Sequence, residues 1–208
     1  MNDSGWVADW FAKEFAGTRV MAILRGLGAE RSLVLAERAW DAGIRVLELP
    51  VQSAADLDAL RAVAAAAAGR DLRVGAGTVL DARQLASIKK AGAAYTVSPG
   101  TDDDVIRRSL DAGLPTLPGV ATATEIQRCR RFGLTWLKAF PAETLGPRWI
   151  RAMRGPFPEA VFVATGGVSG GNAEALLSAG ARVVAFGSAL EDPGELAHMS
   201  RLAALNIH

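Results

Sequence analysis

One lysine lies in a segment that otherwise has the character of a buried strand. Lys138 is preceded by Thr135-Trp136-Leu137 and followed by Ala139-Phe140-Pro141, and an ammonium group is costly to bury without a partner. A snorkelling or ion-paired lysine near a strand end is the structural explanation. Burial, however, disfavours the charged form of an amine, and a neutral amine can attack a carbonyl carbon. Lys138 is therefore a candidate Schiff-base nucleophile, and its surroundings decide between the two explanations.

A carboxylate in a second apolar segment is the natural partner of this amine. Glu48 lies within Val46-Leu47-Glu48-Leu49-Pro50. A structural ion pair would use the same two residue types, so the pair alone does not prove catalysis. The two groups nevertheless supply what carbon–carbon cleavage through an imine needs, because the imine accepts electrons and the carboxylate moves protons. Metal-assisted chemistry is not expected, since the histidines His198 and His208 both lie near the carboxyl terminus.

The elements that would position these side chains are marked by a repeat of glycine. Eight glycines recur at intervals of 20 to 26 residues, each a few positions before a short apolar run: Gly17, Gly43, Gly69, Gly92, Gly113, Gly133, Gly155 and Gly180. The runs are Val20–Leu24, Val46–Leu49, Leu72–Gly75, Tyr95–Val97, Thr116–Leu117, Trp136–Phe140, Val161–Ala164 and Val183–Phe186. Helical spacing of apolar residues fills the stretches between them. The pattern predicts an α/β protein with one (β/α)8 TIM-barrel domain over residues 1–208, and an open α/β sheet is the alternative.

Local signals support this alternation of strands and helices. Ser53-x-x-Asp56 and Thr122-x-x-Glu125 resemble capping boxes, and residues 102–104 place three aspartates at the start of a helix. Five of the Ala-Gly or Phe-Gly pairs fit helix C-termini, where glycine adopts the left-handed conformation.

An additional helix is expected before the first strand. Trp6, Trp10, Phe11 and Phe15 have roughly i, i+4 spacing. Such a helix could cover the bottom of the barrel or contact a membrane or a partner. The segment lacks the basic polar face of an interfacial helix, so we expect an N-terminal capping helix.

Composition excludes several classes of function. The 208 residues are 50% hydrophobic, enough for a sizeable core. The 23 basic and 22 acidic residues give a net charge of +1, which does not favour a nucleic-acid partner. No apolar run approaches the ~20 residues that cross a bilayer, and the amino terminus has no secretory signal, so we expect a cytoplasmic protein without a membrane partner. Cys129, the single cysteine, is expected to be structural.

The predicted carboxyl ends of the strands carry the polar residues, and chemistry in this kind of barrel belongs there. Two glycine turns follow the seventh and eighth runs, namely Thr165-Gly166-Gly167 and Gly187-Ser188. Either could be a plain tight turn. At neighbouring strand ends, however, their backbone N–H groups can converge on one anion, which favours a phosphate ligand.

The motifs together resemble a known family, the 2-keto-3-deoxy-6-phosphogluconate and 2-keto-3-deoxy-6-phosphogalactonate aldolases. The resemblance runs from about residue 18 to about residue 190. It rests on Ala22-Ile23-Leu24-Arg25-Gly26, Val46-Leu47-Glu48-Leu49-Pro50, Val74-Gly75-Ala76-Gly77-Thr78-Val79-Leu80, Ser98-Pro99-Gly100, Pro118-Gly119, Leu137-Lys138-Ala139-Phe140-Pro141-Ala142-Glu143 and Thr165-Gly166-Gly167-Val168-Ser169.

The resemblance implies a role for each matching residue. Lys138 would form the Schiff base with pyruvate, and Glu48 would be the acid/base. Substrate-binding positions would be Arg25, Gln52, Thr78, Pro99, Phe140 and Thr165, and phosphate-binding positions Gly166, Gly167, Gly187 and Ser188. It further implies reversible cleavage of a phosphorylated keto sugar acid to pyruvate and glyceraldehyde 3-phosphate, no cofactor or metal, and a homotrimer. It leaves 4-hydroxy-2-oxoglutarate open as a further substrate.

One position departs from part of the family. Many phosphogluconate-type members have an arginine four residues after the glutamate, where this chain has Gln52. The galactonate-type members resemble the chain more closely there, and also in Gly119-Val120-Ala121-Thr122-Ala123-Thr124-Glu125 and in Phe140-Pro141 with Gly146-Pro147. The resemblance therefore favours the galactonate-type substrate.

Two other functions use parts of the same pattern. A phosphosugar epimerase or isomerase would need the phosphate turns but no reactive lysine. A non-catalytic phosphosugar-binding barrel would keep the turns and show no turnover. Borohydride trapping in the presence of pyruvate separates an aldolase from both.

Overall fold

Nine parallel strands form a single sheet that curls into a nearly closed barrel. The computed structural model describes residues 5–187 and 192–204. The strands are β1 (Val20–Ile23), β2 (Val46–Pro50), β3 (Val74–Gly77), β4 (Tyr95–Val97), β5 (Thr116–Leu117), β6 (Gly119–Val120), β7 (Trp136–Ala139), β8 (Val161–Thr165) and β9 (Ala181–Phe186). Their order is β5-β4-β3-β2-β1-β9-β8-β7-β6. The predicted TIM-type α/β barrel is confirmed.

The fifth predicted run, Thr116–Leu117, is β5, and a short strand that was not predicted, β6, follows it. Pro118 separates β5 from β6, and proline has no N–H to donate to a sheet. The Pro118 carbonyl still accepts a hydrogen bond from the Lys138 N–H at 2.9 Å. The sixth, seventh and eighth predicted runs are thus β7, β8 and β9. One run was placed too early, since Leu72–Gly75 was predicted and β3 is Val74–Gly77.

Helices connect the strands and surround the sheet. They are α1 (Gly5–Glu14), α2 (Gly28–Asp41), α3 (Ala54–Ala68), a 3-10 turn (Ala82–Gln84) running into α4 (Leu85–Lys90), α5 (Asp103–Asp111), α6 (Ala123–Arg130), α7 (Ala142–Arg154), α8 (Ala173–Ser178) and α9 (Pro193–Ala204). In the described residues, none of these helices has both the length and the apolar composition to span a membrane.

The helix ends follow the local signals in the sequence. Thr122 and Glu125 form a capping box at the start of α6, and the Ser53 hydroxyl accepts the Asp56 N–H at 3.2 Å. Asp102 caps α5 by accepting the N–H groups of two residues in its first turn. The glycines predicted after five helices all have positive φ: Gly43, Gly92, Gly113, Gly133 and Gly180.

Helix α1 closes the bottom of the barrel, as predicted. Phe11 and Phe15 are fully buried. The Phe11 ring is stacked on Trp136 with a centroid distance of 5.8 Å, and the Phe15 ring lies 5.3 Å from the same indole. Trp136 shares a face of β7 with Lys138, because alternate residues of a strand point the same way. The aromatic cap therefore lies inside the barrel, below the lysine.

Candidate active site

The amine of Lys138 and the carboxylate of Glu48 meet inside the barrel. Lys138 Nζ lies 3.9 Å from Glu48 Oε1, and the two residues are only 3% and 1% exposed. The amine enters from β7 and the carboxylate from β2, across the barrel interior. Snorkelling is excluded as the explanation of Lys138, because its side chain does not reach solvent.

The Glu48 carboxylate is buried without a hydrogen-bond donor from the described part of the chain. Both Oε1 and Oε2 lack such a partner, and 3.9 Å to Lys138 is longer than a hydrogen bond. Buried polar groups are nearly always satisfied, and an exception inside a cleft calls for a functional explanation. A carboxylate that is held close to an amine and keeps its lone pairs available is suited to proton transfer.

Two glycines of β3 make room for large side chains in the barrel, Gly77 for this carboxylate and Gly75 for the ring of Tyr95, and the sequence alone gave neither glycine a role. A β-carbon at Gly77 would overlap Glu48 Oε1, and one at Gly75 would overlap the ring of Tyr95. Tyr95 is fully buried beneath the site and donates its hydroxyl to the Leu47 carbonyl at 2.8 Å. Burial, followed by the nearby Glu48 charge, raises the pKa of Tyr95 well above its usual value. The only sequence signal for Gly77 was its place in the Gly75-Ala76-Gly77-Thr78 motif.

Three of the predicted substrate-binding residues form a hydrogen-bonded group at the rim. Arg25 donates from Nη1 to Gln52 Oε1 at 2.8 Å and from Nη2 to Thr78 Oγ1 at 3.4 Å. Thr78 has φ +58°, a left-handed conformation that is uncommon for a β-branched residue and typical of strained functional positions. The arrangement fixes the direction of an exposed guanidinium, which is a donor suited to a carboxylate or a phosphate.

Phe140 and the turn after β8 flank the lysine. The Phe140 ring centroid is 5.1 Å from Lys138 Nζ. A β-carbon at Gly166 would come within 2.9 Å of that ring, and Gly166 and Gly167 both have positive φ. A hydrogen bond from Asn172 Nδ2 to the Gly167 carbonyl, 2.8 Å long, stabilises the turn. A side chain at either glycine would disturb this packing.

The remaining predicted residues lie at the same end of the barrel. Thr165 is the last residue of β8, two positions beyond Val163, which pairs in register with Lys138. Thr165 therefore faces the interior one layer above the lysine. The backbone of Pro99 is packed against Gly119, the register partner of Lys138. Gly187 follows β9 and is exposed, whereas Ser188 lies outside the described residues.

Cys129 is not part of this site. Cys129 is fully buried on α6 and contacts Thr101 Oγ1 at 3.5 Å, and burial raises the pKa of its thiol to about 11. A thiol of that kind is a poor nucleophile at neutral pH. Within residues 5–187 and 192–204, no cluster of three His, Cys, Asp or Glu side chains could hold a metal ion.

The chain is similar in sequence to known proteins. The family model for KDPG and KHG aldolase matches residues 12–204. The 2-dehydro-3-deoxy-phosphogluconate aldolase of Pseudomonas aeruginosa is 39% identical over 82% of this chain and 80% of its own length. The 2-dehydro-3-deoxy-6-phosphogalactonate aldolase of Escherichia coli is 33% identical over 85% of this chain and 86% of its own.

A solved structure shows a reaction intermediate on the same fold. The KDPG aldolase of Legionella pneumophila, with pyruvate captured as a covalent carbinolamine, superposes with a TM-score of 0.76 at 26% identity, over 93% of this chain and 96% of that one. With a family model that matches nearly the whole chain and curated relatives above 30% identity, the chain belongs to the KDPG and KHG aldolase family.

Proposed function

We propose that this chain is a class I aldolase that cleaves a 2-keto-3-deoxy-6-phospho sugar acid reversibly to pyruvate and glyceraldehyde 3-phosphate. The observation that carries the proposal is the Lys138 amine 3.9 Å from the Glu48 carboxylate inside the barrel. The family to which the chain belongs, and the carbinolamine in a structural relative, support the same chemistry.

Imine formation comes first. Transfer of one proton from the Lys138 ammonium to the adjacent Glu48 carboxylate leaves a neutral amine, which attacks the C2 carbonyl carbon of the substrate and gives a carbinolamine. Glu48 lies close enough to deliver the proton with which the C2 oxygen leaves as water. The product is a protonated imine, a much better electron acceptor than the ketone.

Carbon–carbon cleavage follows. Glu48, now a carboxylate, takes the proton of the C4 hydroxyl, and C4 becomes the carbonyl carbon of glyceraldehyde 3-phosphate. The electron pair of the C3–C4 bond moves through C2 to the imine nitrogen, which leaves an enamine on Lys138. Protonation at C3 and hydrolysis of the imine release pyruvate and the free amine. These steps are proton transfers, additions and eliminations, with no net gain or loss of electrons, so no redox cofactor takes part.

The rest of the rim is assigned to substrate recognition. Arg25, oriented by Gln52 and Thr78, would bind the acid end or the sugar chain, and Phe140 would pack beside the imine. Pro99 and Thr165 would line the pyruvate portion. The N–H groups of Gly166, Gly167, Gly187 and Ser188 would bind the phosphate.

The preferred epimer at C4 is proposed to be the galactonate type. Its support is Gln52, which occupies the place of an arginine in many phosphogluconate-type sequences and here orients Arg25. The ratio of kcat/KM for the two phosphorylated epimers tests this assignment, and a clear preference for the gluconate epimer would reverse it. 4-Hydroxy-2-oxoglutarate is proposed as an unphosphorylated substrate of the same site.

The decisive experiment is reductive trapping. Incubation with pyruvate and borohydride, followed by peptide mass spectrometry, should place one reduced pyruvyl group on Lys138. Lys138→Ala should lose both trapping and turnover and keep its circular dichroism spectrum, while the exposed-lysine control Lys90→Ala should keep both activities. Labelling at another lysine, or turnover by Lys138→Ala, would refute the mechanism.

The assembly and location are part of the proposal. We expect one catalytic domain that acts as a homotrimer in the cytoplasm. Sedimentation equilibrium measures the number of subunits, and cell fractionation measures the location.

A further inference from the structure

The amino-terminal end of the barrel, opposite the site of Lys138, contains a basic cavity. Its volume is about 300 Å³. Arg19 lies directly before β1, Arg182 is the second residue of β9, and Arg154 ends α7. These three arginines line the cavity together with Pro158, Ala160, Val161, Gly180 and Ala181, so the described part of the chain places no carboxylate in the lining.

Among residues 5–187 and 192–204, no acidic side chain forms an ion pair with these three guanidinium groups. Arg182 donates to the carbonyls of Thr18 at 2.9 Å and Phe15 at 3.3 Å, which carry no net charge. Burial, followed by the charge of Arg19, lowers the pKa of Arg182. Two like charges therefore lie close together in a partly desolvated place, which costs free energy unless an anion joins them.

Arg19 and Arg154 keep donors available. Arg19 Nε is buried and has no hydrogen-bond partner in the described residues. The Arg154 side chain lies over Gly180, where a β-carbon would overlap it. Glu159, which lies between the lining residues Pro158 and Ala160, is already paired with Arg130 at 2.5 Å.

We propose that this cavity is a second anion site, which binds a phosphate group through Arg19, Arg154 and Arg182. Arginine presents several N–H donors in a planar fork that matches phosphate oxygens, and such charge-assisted hydrogen bonds are strong. The volume suits a small ligand, either inorganic phosphate or a small phosphate monoester. The site is independent of the aldolase reaction, because it lies at the end of the barrel that catalysis does not use.

Calorimetric titration with inorganic phosphate at constant ionic strength tests the proposal. The protein carries Gly167→Val, so that the turn proposed to bind substrate phosphate does not contribute. Arg19→Gln and Arg154→Gln, singly and together, should each weaken phosphate binding by about tenfold or more, the value of one charge-assisted hydrogen bond. Arg182 is not substituted, because it also donates hydrogen bonds to two backbone carbonyls and its loss could disturb the fold.

Arg151→Gln is the matched control, an exposed arginine on α7 outside the cavity. It should bind phosphate as the parent does, and the Arg19/Arg154 double variant should keep its kcat/KM for 4-hydroxy-2-oxoglutarate. Tighter binding of glycerol 3-phosphate than of inorganic phosphate would identify a monoester as the ligand, and the reverse order would identify the free ion.

Three results would overturn the site. Unchanged phosphate affinity in the double variant would remove the arginines from binding. Complete loss of phosphate binding through Gly167→Val alone would assign all binding to the active site. A double variant that changes its oligomeric state, with no phosphate bound by the parent, would make the cavity a contact between copies of the chain.

Discussion

Gly167 lies against the side chain of Glu143, so that a β-carbon on the glycine would overlap the carboxylate. The two segments are also joined by a hydrogen bond of 2.9 Å from the Glu143 N–H to the Gly166 carbonyl. Gly167 has φ +69°, which L side chains rarely adopt. The turn after β8 and the start of α7 therefore fit together only with glycine at this position.

Gly167→Val is expected to raise KM strongly for a phosphorylated substrate. The valine distorts the turn whose N–H groups are proposed to bind the phosphate, and it leaves the reacting carbons untouched. KM for 4-hydroxy-2-oxoglutarate, which has no phosphate, should change much less. Steady-state kinetics on both substrates measures the difference.

A double variant distinguishes the effect of the distorted turn from the effect of its overlap with Glu143. Combining Gly167→Val with Glu143→Gly removes both the carboxylate and the β-carbon of residue 143, which the valine would overlap. The loss on the phosphorylated substrate should persist. Equal losses on both substrates would show that the turn is only structural.

Glu48→Gln is expected to lower turnover by roughly 10²–10⁴, the range of general acid–base catalysis. Glutamine has nearly the same shape and cannot exchange a proton in the same way. Borohydride trapping with pyruvate should become slow as well. Glu143→Gln is the control, since this carboxylate is exposed at the rim, and if that variant loses turnover while Glu48→Gln does not, the roles are reversed.

Gly77→Ala should displace the Glu48 carboxylate and so reduce its catalytic contribution, although no polar group is substituted. The new methyl group would occupy the place of Glu48 Oε1, so the carboxylate must turn away. We expect kcat to fall by about tenfold or more, because one acid–base contribution is lost, with a small change in KM. Gly155→Ala serves as the control, because its β-carbon would meet only an ordinary contact at 3.5 Å. A Gly77→Ala enzyme with the parent kcat would mean that the position of Glu48 does not matter.

Gln52→Ala should raise KM by about tenfold, because a hydrogen bond to a charged group is lost and Arg25 loses its fixed direction. Thr78→Val removes the longer bond of 3.4 Å and should have a smaller effect. Initial rates over a range of substrate concentrations give both constants. A fall in kcat at constant KM would show that Gln52 acts in the chemical step and not in substrate binding.

Cys129 should resist alkylation in the folded protein. Burial raises the pKa of its thiol from an ordinary value near 9 to about 11, so the thiolate is scarce at pH 8. The folded state then holds this proton more tightly than the unfolded state. Its contribution to the free energy of unfolding is full below pH 9 and is lost as the pH rises towards 11.

Iodoacetamide labelling at pH 8 with and without denaturant tests the first expectation, and labelling of the folded protein at the unfolded rate would contradict it. Denaturant titrations of the parent and Cys129→Ala at pH 8 and pH 10 test the second. The parent should lose more stability than the variant between these two values.

The alternation of strands and helices could be predicted from the sequence because its signals are local. A capping box such as Thr122 with Glu125 spans four residues, and a glycine after a helix acts on the turn that it ends. The same holds for Lys138, whose unusual place in an apolar strand is visible in its immediate neighbours. These features were enough to predict the barrel, the capping helix and the end of the barrel at which the active site lies.

Contacts between distant segments were decided only by the tertiary structure. Glu48 and Gly77 lie on neighbouring strands, Arg25 meets Gln52 across 27 positions, and Arg19 approaches Arg182 from the other end of the chain. Each of these residues is visible in the sequence, but its contact partner is not. The register in which the strands pair when the barrel closes decides which side chains share a face and which position must be glycine. Periodicity within one segment does not contain that register.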